Sequence, residues 1–221
     1  GPDKPFLALS VLDARTLMVF GAYGLALRSE DGGQSWTAWG DHLDNPDGWH
    51  FNAATDAGPA LVVAGEYGML RRSTDGGRTF SALHSPYEGS FFGVLAPNPT
   101  EVLVLGLRGH VFRSIDGGAS WIACPTPGEA SLTAGAFLPD GRLVLATGSG
   151  DLLLGRRDCT GLQPVTLPTV ARLGPFAGMA LGNGVSPTLV LSGAGGVAAV
   201  PLDALVPAGP APRITAPKIT D

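Results

Sequence analysis

Charge is scarce in this sequence. Asp, Glu, Lys and Arg make up 15% of its 221 residues, with a net charge of −5. Lys and Arg form no run, and a chain without a basic patch or stripe is a poor match to a nucleic-acid surface. No apolar stretch reaches the roughly 18–20 residues that a membrane-spanning helix needs. The sequence shows no signal peptide and opens on Gly1 rather than Met, so it reads as processed or truncated. Cysteine is limited to Cys124 and Cys159. Two cysteines neither require nor exclude an oxidising compartment, and so wide a spacing is not a zinc site. Capped segments of helical period are missing, so almost no helix is expected. The catalytic signatures Gly-x-Ser-x-Gly, His-Glu-x-x-His and the Walker loop are missing as well.

Glycine and proline are plentiful, at 33 and 19 residues. Many turns joining short apolar strands would give this balance, and it fits an all-β class. The order in the sequence is a repeat. Ser29-Glu-Asp-Gly-Gly-Gln-Ser-Trp36, Ser73-Thr-Asp-Gly-Gly-Arg-Thr-Phe80 and Ser114-Ile-Asp-Gly-Gly-Ala-Ser-Trp121 are three versions of one segment, and their aspartates stand 44 and 41 residues apart. That period is the length of a four-stranded propeller blade, ~40–50 residues.

A second marker travels with the first. Seven residues before each aspartate a glycine closes a four-residue turn: Gly21-Ala-Tyr-Gly24, Gly65-Glu-Tyr-Gly68 and Gly106-Leu-Arg-Gly109. The marker continues in Thr147-Gly-Ser-Gly150 and Gly193-Ala-Gly-Gly196, with Asp158 and Asp203 near the expected aspartate positions. Gly193–Ala198 loosely mimics a dinucleotide loop, but it falls in register with these turns and no helix follows. The reading is an all-β propeller of four-stranded Asp-box blades, a single domain over 1–221. Its five blades run near 5–41, 42–86, 87–127, 128–170 and 171–206, and 207–221 is a tail with little strand-forming power beyond Arg213-Ile-Thr215.

The box has a physical logic. Paired glycines supply the positive φ of a tight hairpin turn. The carboxylate of Asp31, Asp75 or Asp116 accepts backbone N–H bonds across it, and Ser or Thr adds another. The closing aromatic, Trp36, Phe80 or Trp121, is expected to pack between neighbouring sheets. These aspartates are therefore read as structural. They lack further oxygen ligands at ion-loop spacing, so no metal is expected there, and no cofactor anywhere. Arg28, Arg72 and Arg113 precede the boxes at one fixed position and read as outer-blade structure.

The boxes and their upstream Gly-x-Tyr/Arg-Gly turns resemble bacterial BNR/Asp-box proteins, in particular the photosystem II assembly/stability factor-like branch in its non-photosynthetic members. Gly1-Pro-Asp-Lys-Pro-Phe6, Leu43-Asp-Asn-Pro-Asp-Gly-Trp-His50, Ser85-Pro-Tyr-Glu-Gly-Ser-Phe-Phe-Gly93 and Gly106–Ser114 carry the likeness, which covers residues 1–155 well and thins beyond. It implies a seven-bladed ring, exported to the periplasm or envelope, acting as an assembly or interaction factor. A protein partner is implied, a membrane protein or exporter component among the options. In such relatives the Gly1–Phe6 stretch follows two earlier blades. Blade 1 here begins at an inner strand, Pro5–Ser10, so blades from a separate chain or fragment are expected to complete the ring.

Blade topology sorts the candidate site residues. The turn between strands two and three shares a face with the connection into the next blade, and the boxes lie on the opposite face. The first face collects Tyr23, Glu66, Tyr67 and Arg108 from turns, and His50, Asn52, Tyr87 and Glu88 from connections. An aromatic and charged rim around a channel is the usual place for a propeller ligand. Each residue also has a plainer reading. The tyrosines would cover the channel mouth, the glutamates would be solvated acids, and His50 would satisfy a buried carbonyl. Arg108 is the sharpest candidate, because a charge on a tight glycine-flanked turn has little structural purpose.

The fold and the family resemblance imply a non-catalytic binding and assembly scaffold. A sialidase-like glycosidase is the alternative from another class, with Glu66 and Glu88 as its only plausible carboxylate pair. A retaining mechanism would set them ~5–5.5 Å apart and an inverting one ~6.5–9.5 Å. The Phe/Tyr-Arg-Ile-Pro start motif of sialidases is absent. A small-molecule or lipid carrier would instead show a deep apolar pocket. Cys124 and Cys159 should both lie near the box face of adjacent blades, where a bond requires Cα atoms roughly 4.4–6.8 Å apart.

Overall fold

A computed structural model describes residues 4–165, 167, 170, 173–182 and 187–206. Gly1–Asp3 and the tail 207–221, with its anticipated Arg213–Thr215 strand, lie outside the described residues.

The chain is an all-β propeller of five antiparallel sheets in sequence order. Blade 1 comprises β1 (Phe6–Val11), β2 (Leu17–Gly21), β3 (Ala26–Ser29) and β4 (Thr37–Ala38). Blade 2 comprises β5 (Phe51–Ala57), β6 (Ala60–Gly65), β7 (Leu70–Ser73) and β8 (Ser81–Ala82). Blade 3 comprises β9 (Phe91–Leu95), β10 (Val102–Gly106), β11 (Val111–Ser114) and β12 (Ile122–Ala123). Blade 4 comprises β13 (Leu132–Phe137), β14 (Arg142–Thr147), β15 (Leu152–Arg156) and β16 (Gln163–Val165). Blade 5 shows three strands among the described residues, β17 (Phe176–Gly182), β18 (Thr188–Gly193) and β19 (Gly196–Pro201). The helical content of the described residues is confined to short 3-10 turns.

The second strands of blades 2 and 3 are unbroken apolar runs because they are covered on both sides. Ala60–Gly65 and Val102–Gly106 are buried throughout. The core is a series of inter-blade layers. Met18, Phe20, Phe51, Leu61 and Val63 join blades 1 and 2, and Val62, Leu70, Phe91 and Val104 join blades 2 and 3. Leu103, Leu105, Leu132, Leu143 and Leu153 join blades 3 and 4, and Val144, Leu152, Phe176 and Leu189 join blades 4 and 5.

All five inner strands slip register after their first residue, at Phe6, Phe51, Phe91, Leu132 and Phe176. Such bulges bend a strand and re-aim one side chain. Two of the re-aimed residues tie blades together: Asn52 donates to Phe91 O at 2.9 Å and Thr133 to Phe176 O at 2.8 Å.

On the opposite face the boxes form as their chemistry requires. Both glycines of each pair have positive φ, Gly76 at 72° and Gly77 at 76° among them. Asp75 accepts from Ser73 Oγ (2.7 Å), Thr79 N–H (3.0 Å) and Thr79 Oγ1 (2.6 Å), and Asp31 and Asp116 repeat the pattern. These donors hold all three carboxyls well below the usual carboxylate range. One closing aromatic departs from expectation. Phe80 and Trp121 pack into the inter-blade layers, whereas Trp36 is 39% exposed and folds back on its own box, donating to Gly33 O at 3.1 Å. Trp39 takes its place, packing into the layer and donating to Gly77 O of blade 2 at 2.8 Å.

The box arginines latch blade to blade. Arg28 donates to Gly76 O (2.7 Å) and Arg72 to Pro99 O (3.0 Å), each in the following blade. Arg113 meets Arg157 of blade 4 on the buried Glu101, both at 2.8 Å. Burial alone would raise the Glu101 pKa, but hydrogen bonds from Arg157 and Arg113 outweigh it and hold the carboxyl below its ordinary value. Cys124, just beyond β12, and Cys159, between β15 and β16, form a disulfide with Cα atoms 5.7 Å apart. It joins blades 3 and 4.

Candidate functional site

The turn-bearing face is built by close backbone approaches. In blade 2, Glu66 N–H donates to His50 O (3.2 Å) on one connection and Gly68 N–H to Gly89 O (2.9 Å) on the next. Blade 1 does the same through Ala22 to Pro5 O (3.0 Å) and Gly24 to Trp49 O (3.1 Å). The closing glycine is required on two counts. Its φ is positive, 71° at Gly68 and 73° at Gly109, and a Cβ there would strike Tyr87 O or Gly128 O of the neighbouring connection. The turns are thus pinned between connections.

The residue before that glycine is also left-handed, and it is not glycine. Tyr23, Tyr67 and Arg108 have φ of 56°, 51° and 54°. A left-handed L-residue costs roughly 1–2 kcal/mol. Their side chains are exposed, Tyr23 by 58% and Tyr67 by 67%, and none makes a side-chain hydrogen bond among the described residues. Three consecutive blades thus hold an unfavourable backbone conformation while presenting Tyr, Tyr and Arg to solvent. Backbone strain of this kind clusters at ligand clamps and binding sites.

The connections supply the second half of the band. Tyr23 meets the His50 ring edge-on with centroids 4.8 Å apart, and Tyr67 lies 5.0 Å from Trp49. Tyr87 stacks on His110 at 4.1 Å and lies 6.1 Å from the buried Phe91. Trp49 and His110 were not among the sequence candidates. Their signal was positional: Trp49 precedes an inner strand, and His110 follows the closing glycine of its turn. Glu66 accepts the His50 backbone N–H at 2.8 Å, with His50 Nδ1 3.9 Å away. Glu88 is exposed and makes no hydrogen bond or ion pair among the described residues. Asn52 is engaged by Phe91 O. The band therefore holds Tyr23, His50, Trp49 and Tyr67 together, continues through Tyr87 and His110, and carries Arg108 on the blade-3 turn. On the opposite face Asp31, Asp75 and Asp116 have their oxygens occupied by turn donors. The described residues contain no cluster of three or more His, Cys, Asp and Glu that could hold a metal ion.

Fold and face together define a β-propeller with an exposed rim of tyrosine, histidine and arginine side chains. No family model matches this sequence, and no curated protein does. Among solved structures it is similar to YCF48 from Cyanidioschyzon merolae, at 19% identity and a TM-score of 0.69 over 90% of this chain and 67% of that one. It is likewise similar to YCF48 bound to D1 peptide, at 18% identity and a TM-score of 0.68 over the same shares. The GH74 xyloglucanase from Xanthomonas campestris is also similar, at 18% identity and a TM-score of 0.59 over 90% of this chain and 38% of that one. At these identities the likeness is one of fold.

Proposed function

We propose that this propeller is a non-catalytic binding scaffold whose turn-bearing face receives a polypeptide, in the manner of an assembly factor. One observation carries the reading: Tyr23, Tyr67 and Arg108 occupy the same left-handed turn position in three successive blades, exposed and without side-chain hydrogen bonds among the described residues. Exposed tyrosine and arginine are the residue types that dominate protein interfaces. Assembly factors of the photosystem II type share the fold, and one of them is known with a bound D1 peptide. The sequence resemblance extends the reading to an envelope location and to a membrane-protein or exporter-component partner. The Cys124–Cys159 disulfide supports an oxidising compartment, where such bonds persist.

A further partner belongs to the reading. On β1, Phe6, Leu9 and Val11 are 65%, 57% and 54% exposed. An uncovered inter-blade face of this kind is completed in our reading by additional blades, on a companion fragment or chain, giving a seven-bladed ring.

The interface claim is tested at Arg108. Arg108→Ala should leave thermal stability within about ±0.5 kcal/mol, as for surface positions generally. It should at the same time weaken binding of peptides selected on the wild type from a displayed library. A large fall in melting temperature would show Arg108 to be structural instead.

A further inference from the structure

Between blades 3 and 4, beneath the turn-bearing face, lies a cleft of about 230 Å³ lined by Thr126, Gly128, Leu132, Thr147, Asp151 and Leu153, among others. The preceding blade pair explains its shape. The connections Ser85-Pro-Tyr-Glu-Gly-Ser-Phe91 and Thr126-Pro-Gly-Glu-Ala-Ser-Leu132 correspond residue by residue. Strand register fixes the match. Phe91 pairs with Gly106 as Leu132 pairs with Thr147, and Val104 pairs with Phe112 as Leu145 pairs with Leu153. Local bonds repeat as well. Ser85 Oγ donates to Tyr87 O (2.7 Å) and Thr126 Oγ1 to Gly128 O (3.2 Å). Gly106 N–H donates to His110 O (3.0 Å) and Thr147 N–H to Asp151 O (2.9 Å).

In blade 3 the Tyr87 ring fills this space, stacked on His110 at 4.1 Å and lying 6.1 Å and 6.2 Å from Phe91 and Phe112. In blade 4 the four positions are Gly128, Asp151, Leu132 and Leu153. The ring is gone, its walls are leucines, and a carboxylate stands where the imidazole was. Asp151 accepts from Ser149 Oγ at 2.9 Å and has no Lys or Arg partner among the described residues. We infer that this cleft anchors an aromatic side chain of a partner polypeptide, with Asp151 receiving a basic group beside that ring. The volume is below the ~300–1,000 Å³ of pockets that take whole small molecules, and suits one ring. An aromatic seated in a desolvated pocket is the usual interface anchor. The inference rests on the polypeptide-binding reading above.

The wild type can be titrated with tyramine, p-cresol and 4-hydroxyphenylacetate, which share a phenol ring and differ in the charge of the arm. Backbone amide NMR shifts are the readout. Tyramine should move the Gly128, Leu132 and Leu153 signals and bind several-fold tighter than p-cresol, with the anion weakest. Gly128→Tyr supplies the missing ring in cis. Gly128 has no positive φ, and a Cβ there meets no atom within 4 Å. This variant should lose tyramine affinity tenfold or more at an undiminished melting temperature. Asp151→Asn, which keeps the cleft's shape, should bring tyramine down to the p-cresol level and carries the test if Gly128→Tyr fails to fold. Absence of shifts at these amides, or tyramine binding unchanged in both variants, overturns the inference. Peptide selection separates it from the parent reading. Peptides selected on the wild type should pair an aromatic with a basic residue and be lost on Gly128→Tyr. If they bind that variant unchanged, the anchor is overturned and the binding face stands. If the wild type selects no peptide, both fall.

Discussion

At the scale of single residues, two kinds of left-handed position carry different meanings. The box glycines and the turn-closing glycines are where the backbone demands freedom, and any reader of the sequence would place turns there. Tyr23, Tyr67 and Arg108 stand where glycine would be cheaper; the sequence singles them out as turn residues, and only the backbone φ shows that they are left-handed. Tyr67→Gly should therefore hold or raise stability, by up to about 1 kcal/mol in thermal or urea unfolding, because it relieves a left-handed L-residue at an exposed site. A loss beyond that range would mean that the Tyr67 ring is part of the fold. The box aspartates give a pH signature. Their folded pKa values are depressed by hydrogen bonds from the turn. The folded protein thus resists protonation more than the unfolded chain. The resulting stability is complete above the ordinary carboxylate value near 3.8 and is lost as pH falls below it. Melting temperature should drop steeply between about pH 4 and pH 2. Asp31→Asn, Asp75→Asn and Asp116→Asn combined should make that slope shallower, and an unchanged slope would place the acid sensitivity elsewhere.

At the scale of strands and turns, what holds one blade to the next is partly polar. Arg28 is 3% exposed, donates to Gly76 O at 2.7 Å and lies 5.2 Å over the Trp39 ring. Arg28→Ala should cost about 1.5–3 kcal/mol in urea unfolding, the range for a charge-assisted hydrogen bond, with lost packing added. The disulfide closes a separation of 35 residues between blades 3 and 4. Reducing it, or replacing both cysteines by alanine, should remove about 3–4 kcal/mol on the loop-entropy account. Much of this scale was legible beforehand. The boxes fixed one set of turns, and the glycine-closed turns seven residues upstream fixed the other and with it the blade period. What escaped was set by contacts between blades. Trp36 and Trp39 are indistinguishable by type, and the contacts that hold Trp39 inward, the Gly77 carbonyl of the neighbouring box and the Arg28 guanidinium over its ring, come from the fold. Trp49 and His110 join the aromatic band because Tyr67 and Tyr87 lie beside them. The cleft at Gly128 is visible only when two connections are compared in space.

At the scale of the whole molecule, the inner strands follow one another from β1 to β17, and among the described residues no comparable packing joins β17 back to β1. The β1 face with Phe6, Leu9 and Val11 is consequently open. The protein taken alone should self-associate or bind a hydrophobic dye at this face, and light scattering after size exclusion should report more than a monomer. A stable, dye-negative monomer would show that the face needs no cover. The binding claim belongs to this scale too, since it concerns one rim assembled from three blades. It is tested most directly by a single protein carrying Tyr23→Gly, Tyr67→Gly and Arg108→Gly, measured side by side with the wild type for melting temperature and for binding of wild-type-selected peptides. The account predicts an equal or higher melting temperature with peptide binding lost; a lower melting temperature, or binding retained at wild-type strength, would contradict it.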